Sequence, residues 1–300
     1  MASSPYDSWA GKESEGLDST EQMKAWEQHA GVIHMPRFDY AAPNSLLRHS
    51  RSAFLVTCPI KREKSATKEL ISFLDKYLLE TRIASSAVNE NVSKKRKTND
   101  DESFSLSLVK LTKNGLLLLL LPDDFSLDTL HIVFDIFHRI ETKSLSCPVW
   151  CHRILPVQAT CALIEEELRA TVFKLVSQFL KNSQKSQDET LKFAIGYNRR
   201  GLEEDTAHVN GEKKQTLALL DRMKCFLTAA SAVKEAASNS SVDLKSPDVS
   251  ILIELLPVSG VPLGTLVCAV CVLPRSLVIV KPRLSIKPLV IEHNFKICKA

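Results

Sequence analysis

VDLKSPDVSILIELLP, residues 242–257, contains a strand of the C-terminal block, roughly Arg153 to Ile286, around which the rest of the chain is arranged. Side chains alternate across an extended strand, so Val249, Ile251, Ile253 and Leu255 share one face. GTLVCAVCVLP, residues 264–274, follows with a near-continuous apolar run over Thr265–Leu273, the pattern of a fully buried strand. Upstream, LKFAIGYNRRG at 191–201 places Leu191, Phe193, Ile195 and Tyr197 on one face of a half-buried strand. A helix is predicted from about Ala159 to Lys181, burying Ile164, Leu168, Val172, Leu175 and Phe179. A second is predicted over about 211–233, packing through Leu217, Leu220, Met223, Phe226 and Leu227. RILPVQATC at 153–161 opens this block with a short extended piece, which Pro156 confines to a sheet edge or strand end. The block runs over 149–286.

Before it lies a smaller module, predicted over 49–148. AFLVT at 53–57 reads as a buried strand. A helix follows, with Leu70, Ile71, Leu74, Tyr77 and Leu78 at helical spacing. Strands over about Phe104–Leu111 and Leu116–Leu121 flank Asn114-Gly115, a strong hairpin signal. The helix FSLDTLHIVFDIFHRIE is expected to bury Leu127, Leu130, Val133, Phe134, Phe137 and Ile140, with His131 and His138 on its surface. The order β-α-β-β-α is that of a ferredoxin-like unit. Residues 82–103 read as a mobile polar loop, whose run Lys94-Lys95-Arg96-Lys97 suits a nuclear-import signal or a nucleic-acid contact. Residues 1–48 read as a disordered tail and 287–300 as a basic tail. The fold class expected is α/β (α+β).

A length of 300 residues allows one or two domains, and the 44% apolar content is that of a globular chain. No apolar run approaches the ~20 residues that cross a bilayer, and no membrane association is expected. The first residues lack the basic and apolar regions of a secretory signal. The net charge of +4 is unevenly placed. Residues 1–45 hold three Lys/Arg against seven acids, which is −4 and leaves +8 for the remainder. A basic folded part suits a polyanion and equally suits a solvated surface.

Eight cysteines without a signal peptide are expected to be reduced. Cys268 and Cys271 are three apart on a strand and so face opposite ways, as buried small hydrophobes rather than as ligands. Cys147, Cys151, His152 and Cys161 lack the spacing of a zinc site. Glu165, Glu166 and Glu167 occupy the early turns of a helix, where acids suit the dipole. Gly196 and Gly201 have P-loop spacing, but Leu202-Glu203 stands where Lys-Ser/Thr would be needed, which excludes nucleotide binding there. Arg199 and Arg200, at a strand end beside Tyr197 and Asn198, form a phosphate-binding corner. No activated nucleophile, dinucleotide loop or His-Glu-x-x-His is present, and no enzyme activity, cofactor, metal or small-molecule substrate is expected.

Four features of the block resemble the THUMP domain, an RNA-binding module of tRNA-modifying systems. They are RILPVQATC, the α-β-α-β-β order, KFAIGYNRRG and, above all, VDLKSPDVSILIELL, with Asp243 and Pro247 leading into a strand that ends near Glu254. The unit before it resembles the ferredoxin-like partner that accompanies THUMP. RSAFLVTCPIKREKSATKEL at 51–70 and LVCAVCVL at 266–273 are similar to the eukaryotic THUMP domain-containing protein 1 family. That resemblance implies a tRNA-binding adaptor for a separate RNA cytidine acetyltransferase, serving N4-acetylation of a D-arm cytidine in serine and leucine tRNAs. The acetyl-CoA and ATP sites would then be the partner's, and the location nuclear or nucleolar, with the cytoplasm open. The absence of a catalytic domain after residue 286 is expected to fit. The RNA-contacting candidates are Arg153, Tyr197, Asn198, Arg199, Arg200, Lys245, Lys281 and Arg283. An RNA-modifying enzyme with an unrecognised centre and a protein–protein scaffold are the other readings.

Overall fold

A computed structural model of the chain describes residues 38–88, 106–122, 128–183, 190–202, 220–262 and 264–289. All of them belong to the unit Met35–Ala300. The Lys94–Lys97 run, Trp9, Trp26 and residues 290–300 lie outside the described residues.

The first sheet has the strands β1 (Ala53–Thr57), β2 (Ser107–Val109), β3 (Leu116–Leu120) and β4 (Arg153–Val157), in the order β2-β3-β1-β4. Every pairing is antiparallel. This is the strand order of a ferredoxin-like sheet. It corrects the expected boundary, because Arg153–Val157 opens no new block and instead runs along β1 as the fourth strand. Pro156 sits opposite Phe54 on that edge, where its missing N–H costs no ladder bond. Gly115 has φ +75°, the left-handed conformation a tight hairpin demands.

Helix α1 (Ala42–Arg48) falls inside the segment expected to be disordered. It buries Ala42, Pro43 and Leu46, while Asp39 accepts N–H bonds from Ala41 and Ala42 just ahead of it. Helix α2 (Glu63–Val88) runs seven residues into the expected loop, since no glycine or proline interrupts it. Helix α3 (Thr129–Glu141) starts at Asp128, whose carboxylate accepts from the Leu130 N–H. Its buried stripe is Thr129, Ile132, Val133, Ile136 and Phe137. The predicted stripe is therefore rotated, and Phe134 points to solvent along with His131 and His138.

The second sheet has the order β5-β9-β8-β6-β7. Its strands are β5 (Ala159–Ala162), β6 (Leu191–Asn198), β7 (Ser240–Val242), β8 (Val249–Leu256) and β9 (Val267–Pro274). β6 is parallel to both β7 and β8, whereas β9 is antiparallel to β8 and β5. Residues 159–162, expected as helix, pair with β9 as an edge strand, and helix α4 (Glu165–Asn182) begins only afterwards. Helix α5 (Arg222–Ala236) starts at Asp221, whose carboxylate accepts from the Lys224 N–H, so it begins later than residue 211. Its buried face is Cys225, Thr228, Ala229, Ala232 and Val233, and Met223 and Leu227 are exposed. Small side chains face inward here because α5 packs on both α4 and the sheet.

One face of this sheet, carrying Phe193, Ile251, Ile253, Cys268 and Val270, forms a core with Leu168, Val172, Cys225 and Ala229 of α4 and α5. Ser250, Leu252 and Glu254, on the other face of β8, are fully buried as well. β8 is thus sealed on both sides. Two short strands, β10 (Val278–Ile279) and β11 (Ser285–Ile286), close the described chain, and the Leu289 N–H donates to the His152 carbonyl. No helix among the described residues is long and apolar enough to cross a membrane.

Candidate nucleic-acid interface

β6 and β8 are parallel, so both end at the same rim of the sheet, with Asn198 paired to Glu254. Alternation turns Glu254 away from the helix side, into a fully buried position among apolar neighbours. Its carboxylate accepts from two groups on the segment that leaves β6. The Asn198 Nδ2 donates to Oε1 at 2.8 Å, and the Arg200 Nε donates to Oε2 at 2.6 Å. Burial pushes the Glu254 carboxyl above its ordinary value, while the Arg200 guanidinium and the Asn198 amide pull the other way.

Arg200 and Gly201 carry φ of +51° and +80°. A non-glycine residue in that region costs on the order of 1 kcal/mol or more, and the ion pair with Glu254 holds Arg200 there. The two arginines of the expected corner have different partners. Arg200, mostly buried, spends its charge on Glu254 and shapes the turn. The Arg199 Nε donates to the Leu202 carbonyl at 3.0 Å.

The hairpin of the first sheet abuts this corner. Lys113 side-chain carbons lie 3.5 Å from where a Gly201 Cβ would be. Thr112 donates through its N–H and its hydroxyl to the Pro257 carbonyl at 2.7 and 3.2 Å, and the Ser259 N–H donates to Lys110 at 2.9 Å. Lys113 was not singled out in the sequence. The only sequence signal near it is the Asn-Gly turn, and its position beside Gly201 comes from contacts across the two sheets.

The other candidates divide. Gly196 lies under the 281–284 loop, and a Cβ there would meet the Leu284 carbonyl oxygen at 3.4 Å and Leu252 at 2.7 Å. Lys281 and Arg283, both exposed, belong to that loop. Tyr197 turns to the helix side, against Phe226 at 6.3 Å between ring centroids. Lys245 is elsewhere. Its N–H and that of Ser246 donate to Asp243 Oδ1, in a turn beside Lys192 at the far end of β6, roughly 20 Å from Asn198 at strand rise. Arg153 starts β4 opposite Thr57, and its Nε and the Thr57 hydroxyl are buried without hydrogen-bond partners among the described residues.

Cys161 and Cys268 meet across β5 and β9 at 3.3 Å, and Cys271 faces the Glu254 side, so Cys268 and Cys271 do point opposite ways. Mutual hydrogen bonding and burial push the Cys268 thiol up, and burial does the same for Cys271. Cys151 is buried with its thiol on the Ala66 carbonyl, whereas Cys147 is exposed. Among the described residues no three His, Cys, Asp or Glu side chains converge as a metal site.

At one rim of the second sheet the buried Glu254 thus holds the turn that carries Arg199 and Arg200, and Lys113 from the hairpin of the first sheet packs against Gly201 of that turn. Residues 165–258 match the THUMP domain, so the chain carries a THUMP domain. No curated protein matches the chain. Among solved structures, PH1313 from Pyrococcus horikoshii is similar at 15% identity, TM-score 0.36, over 74% of this chain and 55% of that one. A 4-thiouridine synthetase–RNA complex with bound ATP is similar at 10% identity and TM-score 0.36, over 75% and 42%. TrmN from Thermus thermophilus is similar at 12% and TM-score 0.32, over 79% and 47%. This chain thus spans about half the length of each.

Proposed function

We propose that this protein binds tRNA through the rim formed by Arg199, Lys113, Lys281 and Arg283, as a non-catalytic adaptor. The tRNA, of serine and leucine type, would be presented to an RNA cytidine acetyltransferase for N4-acetylcytidine formation in the D-arm, and the protein would work in the nucleus or nucleolus. The observation that carries RNA binding is the Glu254-anchored turn inside a THUMP domain. The buried Glu254 holds the turn that carries Arg199, and Lys113 of the first sheet's hairpin packs against Gly201 of the same turn. The adaptor role and the acetyltransferase rest on the sequence resemblance at 51–70 and 266–273.

RNA binding of this kind is dominated by phosphate contacts and falls steeply with salt. The variant Arg199→Ala with Lys113→Ala should weaken tRNA binding for all tRNAs alike. It should also reduce the slope of log K against log salt by roughly one unit per cation. Fluorescence anisotropy with labelled tRNA over a salt series reads both. An unchanged slope removes the rim as the binding site. For the adaptor role, nucleoside mass spectrometry on tRNA from cells lacking the protein should show N4-acetylcytidine lost. Persistence of that nucleoside refutes the partner assignment without touching RNA binding.

A further inference from the structure

At the end of β1 and the start of β4 the structure builds a second surface, separate from the rim residues Arg199, Lys113, Lys281 and Arg283. Trp150 is half-buried, and the Arg62 guanidinium lies 4.8 Å over its ring. Ile60 and Val149, each 65% exposed, flank it. The backbone beneath the tryptophan is pinned. A single carboxylate, Glu69, accepts from the N–H groups of Val149, Trp150 and Cys151 at 2.6, 2.8 and 2.8 Å. The other nearby acid, Glu63, is turned onto the Gly115 N–H, which holds its carboxyl below the usual range. Both acids of the neighbourhood are thus occupied by backbone, and the exposed charges, Lys61 and Arg62, are positive.

Three residues beyond Trp150, the Arg153 Nε and the Thr57 hydroxyl lie on paired positions, both buried and without partners among the described residues. The hairpin joins this surface to the basic rim. Ile60 lies 3.6 Å from the Gly115 Cβ position, and Lys113, two residues earlier, lies against Gly201.

We infer that Trp150 and Arg62 form a stacking site for an unpaired nucleotide of the bound RNA. This rests on the RNA-binding reading above. An indole capped by a guanidinium is a surface on which any base stacks, and a tryptophan whose backbone is pinned in place loses little freedom on binding. A rim of cations alone would not distinguish paired from unpaired RNA, whereas a stacking site would.

The test uses the full chain with Trp9→Phe and Trp26→Phe, so that Trp150 is the sole remaining tryptophan of three. It is titrated with an unstructured RNA oligonucleotide and with a blunt duplex of the same sequence. Emission reports on the indole and anisotropy on affinity. The single strand should quench Trp150. Trp150→Ala should lower its affinity roughly 10-fold, with Trp150→Phe keeping most of it and the salt slope unchanged. Duplex binding should be unaffected by either substitution. Thermal melts of the alanine variant separate unfolding from loss of the site, and the phenylalanine variant supplies a folded comparison.

RNA binding with no change in Trp150 emission, and no affinity loss in Trp150→Ala, overturns the site and leaves the RNA-binding reading standing. No RNA binding by the parent at low salt overturns both. Emission that responds to the partner enzyme and not to RNA assigns the patch to a protein and likewise overturns the inference.

Discussion

The two ends of β6 solve the same problem in opposite ways. At one end Glu254, fully buried, organises the turn 198–201 with an ion pair and an amide bond. At the other, Asp243 organises the turn 243–246 from the surface, accepting the Lys245 and Ser246 N–H groups. Both turns come from strings that resemble one family, and both put a lysine or arginine at a loop tip. The buried carboxylate couples its turn to the core, so the position of Arg199 is tied to global stability. The exposed carboxylate shapes only a local turn, which water can replace. Arg199 belongs to the first end and Lys245 to the second.

The comparison is broken most sharply at Glu254. Glu254→Ala leaves the Arg200 guanidinium buried without its partner, and losses of about 3–5 kcal/mol are typical of such changes. Chemical denaturation should show a loss of that size, and a loss under about 1 kcal/mol would mean the turn stands without its anchor. The next largest effect is at Gly196. Gly196→Ala presses a methyl into Leu252 and the 281–284 loop, an overpacking that costs about 1–3 kcal/mol. The same melts read it, and weakened tRNA binding should accompany it through the displaced Lys281 and Arg283.

The smallest effect distinguishes the two carboxylates by pH. The Ser246 and Lys245 N–H groups hold Asp243 below its ordinary value, so its contribution is present above the unfolded pKa and is lost as pH falls through the native one. Glu254 is raised, so the sign reverses. Its favourable contribution is present below the unfolded pKa and is lost as pH rises through the native value. Stability measured against pH for Asp243→Asn and Glu254→Gln, each relative to the parent, should show differences of opposite slope. Parallel slopes would mean that the two sites do not differ in burial as described.

Much of this was legible in the chain. The alternation of LKFAIGYN and the apolar continuity of 267–273 mark their strands, because burial on one face or two imposes period 2 or none. Asn114-Gly115 marks its hairpin because left-handed backbone is needed there. Less legible were the faces of α3 and α5, where Phe134, Met223 and Leu227 look like core and lie outside it. Hydrophobicity marks a stripe only to within the width of a neighbour's side chains, and alanines win where helices approach closely. The partnership of Arg200 with Glu254 spans 54 positions, and the pinning of Trp150 by Glu69 spans 81; no local pattern reveals either.

What the sequence determined alone is therefore most of the long strands and helices, though not α1 or the strand at 159–162, and the presence of two arginines after β6, since periodicity and turn chemistry act over a few residues. What only the tertiary structure decided is which sheet Arg153–Val157 joins, which arginine of the pair is spent on a buried acid, and that Lys113 arrives beside Gly201. Those depend on through-space hydrogen bonding and on exclusion of water, which operate between residues distant in the chain.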